Sequence, residues 1–349
     1  MTGVGLAGNA EAQARLAESL KVPLSAENVS IDGLWPLSGG AIQENWAIDL
    51  TVHRQGNGPE RLDCVLRTDS PTGVEISLGR AQEFDLLRAA WDLGVTVPEP
   101  LACVTDKSVI GKDFCLMRRM RGTAMGRKIT QDERIGGDRE MLTERLGREM
   151  ARIHKITPKT HRFDFLQPPP IDAAESELAA MRGFLDKMGA QRPVLEWAFR
   201  WLSRHKPEPA EVVLAHHDFR TGNYMLDEAG LTAILDWEFA GWSDRHEDIG
   251  WFHAMCWRFA RRDLPAGGVG TREAFRRGYE AESGVSIDPR KAFYWEVHAH
   301  LRWAVIALQQ VNRYLVGGER TLDLGLTGRR PAELELEILR MTAPEGMGR

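Results

Sequence analysis

The sequence predicts an α+β chain in two lobes, a small antiparallel sheet with one helix followed by a mostly helical region. Three features predict it. Two runs near residues 45–67 alternate apolar and polar side chains, which is the period of half-buried strands. The stretch QGNGP at 55–59 supplies turn chemistry between them. Beyond Gly122 apolar residues recur at helical spacing, broken only by short strand-like runs between Val212 and Leu235. At 349 residues the chain is long enough for two lobes, each with its own core.

Taken in order, residues 10–21 read as a short helix and residues 28–33 as a loop. In the first strand, at 45–52, Trp46, Ile48, Leu50 and Val52 alternate with Ala47, Asp49 and Thr51. In the second, Leu62, Cys64 and Leu66 alternate with Asp63, Val65 and Arg67, which completes a hairpin. A helix is expected over 75–93, with Leu78, Phe84, Leu87 and Trp91 on its apolar side and Gly94 closing it. Short strands follow near 100–104 and 113–117, and the lobes meet near 118–123. The expected organisation is an N-terminal helix and loop (1–29), a sheet-bearing lobe (30–120) and a helical lobe (121–349). Leu142, Leu146, Met150 and Ile153 mark one helix of the second lobe, and others are expected over 175–187, 194–205, 251–262 and 290–311. Strand-like runs at 212–214, 224–226 and 231–235 interrupt them.

Composition excludes several classes. Hydrophobic residues at 43% and charged residues at 27% are ordinary for a globular chain. A formal charge of −5 without a basic run leaves no electrostatic footprint for nucleic acid. The four cysteines lie far apart with no Cys-x-x-Cys pair, which fits neither a disulfide framework nor a cysteine zinc site and points to a reducing, cytoplasmic setting. Glu11, Arg15 and Glu18 stand where a signal peptide would be apolar, and no window approaches the ~18 apolar residues of a membrane span.

The sharpest chemical signal is HHDFRTGN at 216–223. It follows an apolar strand and precedes a hairpin, with its turn at 227–230, whose return strand ends at Asp236. Antiparallel pairing sets the two ends of such a hairpin about 5 Å apart, so Asp218, Asn223 and Asp236 are expected to converge. Carboxylate and amide oxygens of this kind suit Mg²⁺. Phosphoryl transfer requires the same parts, together with a cation against the moving phosphoryl group. Asp218 is the candidate to orient an acceptor hydroxyl and take its proton. Asn223 and Asp236 are the candidate metal ligands, and Arg220 is the candidate partner of the phosphate oxygens. His216 is expected to hold the loop, and His217 to be a surface or supporting residue. Asp244 and Asp248 are expected to tie the following segment to the loop.

With its setting, VVLAHHDFRTGNYMLDEAGLTAILDWEFAGWSDRHEDIGW, this run resembles the aminoglycoside phosphotransferase and choline kinase superfamily, which has the protein-kinase-like fold. The resemblance implies a small-molecule kinase that uses a nucleoside triphosphate, ATP or GTP, with Mg²⁺. It extends backwards over about residues 30–260. Gly39 and Gly40, in LSGGAIQENWAIDL, match the glycine turn over the nucleotide phosphates, where a Cβ would hold the backbone away. Arg67 stands at the phosphate-pairing lysine position and Glu83 at that of its bracing helix glutamate. FCLMRRMRG resembles the hinge, with backbone groups near Met117 and Arg119 bonding the adenine edge. There are two departures: Arg67 presents a planar fork in place of a point charge, and His217 replaces a glycine. An arginine at that position is shared with the branch linked to acyl-CoA dehydrogenases, so activity is still expected.

Acceptor pockets in this superfamily are built from helices after the metal strand. Over 251–281 that region holds Arg258, Arg261, Arg262, Arg272, Arg276 and Arg277 against Asp263, Glu273 and Glu280, with six aromatic residues. Such a wall suits an anionic or partly apolar metabolite alcohol, such as a hydroxylated acid or a hydroxyacyl-CoA, better than a polycationic aminoglycoside. Two alternatives stand beside the kinase. One is a metal-dependent phosphohydrolase built on His216, His217, Asp218, Asp236 and the cluster His246-Glu247-Asp248. The other is a pseudokinase-type binding module, which only Arg67 favours.

Overall fold

The computed structural model describes residues 4–37, 43–56, 58–69 and 77–343. The chain forms two compact units. The first holds the described residues up to Gly122 together with Thr232–Ala240, and the second holds Thr123–Leu231 and the chain from Gly241 onward.

The first unit opens with helices α1 (Val4–Ala7) and α2 (Ala10–Leu20). Its sheet contains β1 (Asn28–Pro36), β2 (Gln43–His53), β3 (Glu60–Asp69), β4 (Pro100–Val104) and β5 (Phe114–Arg118), with helix α3 (Arg80–Asp92) between β3 and β4. The strand order is β1-β2-β3-β5-β4, and every pairing is antiparallel. The register sets Ile48 opposite Cys64 and Leu50 opposite Leu62, so the alternating apolar residues of both strands share one face. That face is buried with Leu16 and Leu20 of α2 and with Phe114 and Leu116 of β5. Each such side chain contributes about 1.5–3 kcal/mol on burial.

Residues 28–33, expected as a loop, belong instead to β1. This is an edge strand with a register shift between Ile31 and Gly33, and Val29 is its one fully buried residue, so no clean alternation marks it. Helix α3 starts at Arg80, later than expected, where the Gln82 carboxamide accepts the Gly79 N–H at 2.9 Å. Residues 75 and 76 lie outside the described set. Gly94 ends the helix at φ +73°.

The second unit comprises α4 (Gly126–Gln131), α5 (Arg139–Ile153), α6 (Ala173–Met188), α7 (Pro193–Arg204), β6 (Val212–Ala215), β7 (Tyr224–Leu226), the start of β8 (Leu231–Ile234), β9 (Gly241–Asp244) and α8 (Arg245–His253). A 3₁₀ turn (Met255–Trp257) follows, then α9 (Arg272–Ser283), α10 (Pro289–Leu315), α11 (Leu322–Thr327) and α12 (Pro331–Thr342). Helix α10 is the spine. Asp288 caps it, Pro289 opens it, and Tyr294, Trp295, Val297 and Leu301 bury their side chains against apolar faces of α6, α7 and α12. Strands β6 and β9 pair antiparallel, Val212 opposite Asp244 and Ala215 opposite Gly241. The chain therefore leaves β6 at His216, makes the loop and hairpin, and returns to the neighbouring strand.

A helix expected over 251–262 does not form. Asp244 caps α8 early, accepting the His246 N–H at 2.8 Å, and the helix stops at His253. Phe259 and Ala260 then take φ +47° and +71°, which no helix accommodates. The Phe259 ring lies over the bare α-carbon of Gly126, where a Cβ would stand 2.3 Å from it. Among the described residues no helix is long and apolar enough to cross a membrane.

Helices α5 and α9 meet at close range through two glycines. A Cβ on Gly278 would stand 1.8 Å from the Glu144 carbonyl oxygen, and one on Gly147 would stand 2.2 Å from that of Phe275. Backbone cannot yield as a flexible side chain does. Gly278→Ala is expected to lower the unfolding free energy by about 1–3 kcal/mol or more. Gly183→Ala, on α6 with nothing within 4 Å, should leave stability unchanged or raise it by up to ~1 kcal/mol. Urea unfolding of both variants checks the pair.

Candidate active site

In the second unit the loop after β6 is organised by one buried carboxylate. Asp248, on α8, accepts the backbone N–H of His216 at 2.6 Å on Oδ2 and that of His217 at 2.8 Å on Oδ1. His154, which caps the C-terminus of α5, places Nε2 3.2 Å from Oδ2 and Nδ1 2.8 Å from the Tyr279 hydroxyl of α9. Burial works against the Asp248 charge, but the bond to His154 and the surrounding imidazoles hold its carboxyl below the usual range. The tie expected from Asp248 is thus present, and Asp244 serves as the cap of α8.

Asp218 follows directly. Its N–H donates to His216 Nδ1 at 3.3 Å, so His216 supports the loop. Three donors hold its carboxylate. Arg220 Nε (2.9 Å) and Trp251 Nε1 (3.0 Å) donate to Oδ1, and the Asn223 amide donates to Oδ2 and to the Asp218 carbonyl oxygen (3.0 Å). The Arg220 guanidinium also lies 4.6 Å over the Trp257 ring. Gly222, at φ +111°, lets it do so, because a Cβ there would stand 2.7 Å from Nη1. Asp218, Arg220 and Asn223 therefore form one cluster. The motif itself does not point to Trp251 and Trp257, although Trp251 lies one turn of α8 beyond Asp248 and so faces the same loop.

In the first unit, Arg67 on β3 is buried and bridges two carboxylates. Its Nη1 is 2.8 Å from Glu83 Oε1 on α3, and its Nη2 is 2.8 Å from Asp236 Oδ1. Arg80 pairs with the other Glu83 oxygen. Burial opposes the Arg67 charge, yet Glu83, Asp236 and Glu238 together raise its pKa above the ordinary value. Asp236 takes φ +62°, rare for a residue with a Cβ, and its side chain stays 43% exposed. Arg67, Glu83, Met117 and Asp236 line a small recess of about 20 Å³, room for little more than one water. Arg119 donates its N–H to Asp63 O (2.9 Å) and pairs its side chain with Asp49 (2.8 Å), so its amide is already committed. Gly39 and Gly40 lie outside the described residues.

The donor chemistry fits a hard divalent cation. In the second unit the Asn223 amide nitrogen is engaged by Asp218, which leaves its oxygen available to a cation, and in the first unit Asp236 keeps an oxygen beyond the one that Arg67 takes. The phosphohydrolase alternative fares worse. His246 bonds Asp244 through Nδ1 and accepts the Asp288 N–H through Nε2, while Asp248 serves the loop amides. His246 and Asp248 are thus committed to other partners, whereas His217 and Glu247 do approach one another, Nε2 to Oε2 at 3.3 Å.

The basic wall over 251–281 is largely neutralised. Arg258 and Arg272 both pair with Glu296 of α10 (3.0 and 2.7 Å), Arg276 with Glu280 (3.3 Å) and Arg277 with Glu140 (2.6 Å). Phe252, Phe275 and Tyr279 are core residues. Arg258, Arg262, Arg272 and Arg276 do line a cavity of about 650 Å³ in this unit, with Phe275 and Phe293, but Glu273, Glu296 and Glu337 stand among them.

The profile of the phosphotransferase enzyme family matches residues 35–285. The chain belongs to this family. As a family member it is 24% identical over 264 residues to acyl-CoA dehydrogenase family member 10 of Mus musculus, covering 71% of this chain and 24% of that protein. It is 24% identical over 281 residues to family member 11 of Rattus norvegicus, covering 75% and 35%. The chain thus spans only about a quarter to a third of the length of these relatives. Among solved structures, a Ralstonia eutropha chain provisionally named an aminoglycoside phosphotransferase aligns at TM-score 0.73 and 19% identity, covering 94% of this chain and 97% of that one. A choline/ethanolamine kinase family protein from Mesorhizobium loti aligns at TM-score 0.55 and 16% identity, covering 90% and 89%. At these identities the likeness shows the fold, which is the protein-kinase-like α+β class expected from the sequence. Family and fold together support a small-molecule phosphotransferase.

Asp248→Ala leaves two buried backbone N–H groups without an acceptor. At ~1–3 kcal/mol for each, it is expected to cost about 2–6 kcal/mol. Asp248→Asn, which keeps one acceptor oxygen, should cost less. Chemical denaturation measures both, and equal, negligible losses would show that the carboxylate is not what holds the loop.

Proposed function

We propose that this chain is an ATP-dependent, magnesium-dependent kinase that phosphorylates a hydroxyl of a small metabolite. The observation that carries the proposal is the Asp218 carboxylate, fixed by Arg220, Trp251 and Asn223 on a loop braced by Asp248. A carboxylate held by three donors has one rotamer, so an acceptor hydroxyl bonded to it is oriented before reaction. As the acceptor oxygen bonds to the terminal phosphorus and the bond to the leaving diphosphate breaks, Asp218 receives the hydroxyl proton. Arg220 is close enough to move from Asp218 towards the charge that develops on the phosphoryl oxygens. Arg67, braced by Glu83, meets the phosphates of the nucleotide. Asn223 and Asp236 hold Mg²⁺, which when bound offsets phosphate charge. The glycine turn at Gly39 and Gly40 and the backbone near Met117 and Arg119 are assigned to the nucleotide. Nucleotide use is supported by a structural relative, spectinomycin phosphotransferase, which was solved with ADP and spectinomycin.

For the acceptor we favour an anionic or partly apolar alcohol over a polyamine. The groups around Asp218 are two indoles and a guanidinium, and a polycation would need several carboxylates there. An ATP-consumption screen over metabolite alcohols, read by mass spectrometry of the product, tests this directly. Good turnover of kanamycin-type amines with acidic alcohols ignored would reverse the preference.

Asp218→Ala is expected to lower kcat by ~10²–10⁴ while ADP binding, followed by calorimetry, stays intact. Unchanged turnover would exclude Asp218 as the base. Asn223→Ala should raise the Mg²⁺ concentration needed for half-maximal rate, a shift read from a metal titration at saturating nucleotide.

A further inference from the structure

A second group of ligand-type side chains lies in the second unit and takes no part in the proposed phosphoryl transfer. Glu177 of α6, His217 of the loop and Glu247 of α8 each present one ligand atom, and the three atoms lie within 4.8 Å of one another. The tightest edge, His217 Nε2 to Glu247 Oε2, is 3.3 Å. With zinc–ligand bonds of about 2.0–2.2 Å, two donors on a tetrahedral centre stand about 3.4 Å apart, so this edge already has the right length. Glu177 is only partly buried and can close the remaining gap by a rotamer change.

The surroundings orient the ligands. The Ser243 hydroxyl donates to Glu247 Oε2. Arg302 lies 3.5 Å from the other Glu247 oxygen and donates to the His217 carbonyl oxygen at 2.9 Å, so it steadies both residues from the side away from the shared edge. His217 holds its ring there at φ +61° and packs against Gly241, where a Cβ would stand 3.4 Å from the ring. An independent observation points the same way. His298 of α10 is 1% exposed, and its Nε2 has no hydrogen-bond partner among the described residues; burial dominates its electrostatics, and the charges of Glu247, Arg302 and His217 also reach it. A buried imidazole nitrogen without a partner, within electrostatic reach of Glu247 and His217, marks polar capacity beside the cluster that the described residues leave unused.

We propose that Glu177, His217 and Glu247, with the unpartnered imidazole of His298 nearby, bind one divalent transition-metal ion of the Zn²⁺ type beside the catalytic loop. Imidazole nitrogen with two carboxylates selects such an ion over Mg²⁺, which prefers an all-oxygen shell. Three carboxylates, those of Glu177, Glu247 and the nearby Asp248, against the single guanidinium of Arg302 leave room for two positive charges. Because His217 directly precedes Asp218, the ion would lock the backbone that carries the proposed base.

The test uses the full chain, stripped with chelator and kept free of nucleotide. Titration with Co²⁺, followed by visible absorption, and with Zn²⁺, followed by calorimetry, is expected to give one equivalent bound and a raised melting temperature. His217→Gly, which suits the positive φ, and Glu177→Gln, on a partly exposed helix face, should each weaken binding by at least about 10–100-fold and abolish the Zn²⁺-dependent melting shift. Asn223→Ala should leave the Co²⁺ spectrum unchanged. The proposal is overturned if the wild-type chain binds no stoichiometric ion, if His217→Gly binds as tightly as wild type, or if the Asn223 variant alone loses the signal. These readouts do not depend on kinase activity, so they stand apart from the fate of the functional proposal.

Discussion

The buried carboxylate of Asp248 is the constraint on which the rest of the second unit's chemistry depends. A charge without water needs donors on its oxygens, and here two of them are successive backbone amides of the loop. Those bonds set the path of the chain through His216 and His217 and so deliver Asp218 to Arg220, Trp251 and Asn223. The third contact, from His154, is in turn fixed by Tyr279. His154 closes α5 and Tyr279 belongs to α9, so the glycine contacts that bring these helices together also set the carboxylate that shapes the loop. Packing, capping and the candidate base are links in one chain.

In the first unit the corresponding constraint is the fork of Arg67. A lysine ammonium is a compact point charge, whereas the planar guanidinium reaches Glu83 and Asp236 with different nitrogens at the same 2.8 Å. The substitution that looked like a weakness in the sequence therefore has a geometric use. It joins the helix glutamate to Asp236 through one buried cation. Part of the guanidinium is thereby occupied by Asp236.

The acceptor region shows how local charge counting misleads. Over 251–281 the cations outnumber the anions, but Glu296 comes from α10 and Glu140 from α5, and both neutralise arginines far away in sequence. Several of the aromatic residues counted in that wall are simply core. The same non-locality put Glu177, His217 and Glu247 together: they come from two helices and a loop, and no spacing rule connects them.

Much was legible in the chain itself. Alternation at Trp46, Ile48, Leu50 and Val52 determined the central hairpin and which face is buried, because period two allows only one register with a dry side. Apolar spacing at Leu142, Leu146, Met150 and Ile153 determined α5, and HHDFRTGN marked the loop in which Asp218, Arg220 and Asn223 come together. The tertiary structure decided what local pattern could not. The edge strand β1 shows no alternation because one face of it is barely covered. The helix expected over 251–262 gives way to a turn in which Phe259 and Ala260 take positive φ and the Phe259 ring packs on Gly126, a partner far away in sequence. The partners of Asp218 and Arg67, and the metal-type cluster around His217, arise from elements that meet only when the core closes. Hydrogen bonds and ion pairs depend on distance in space, and residue spacing encodes that distance only within a helix, a strand or a tight turn.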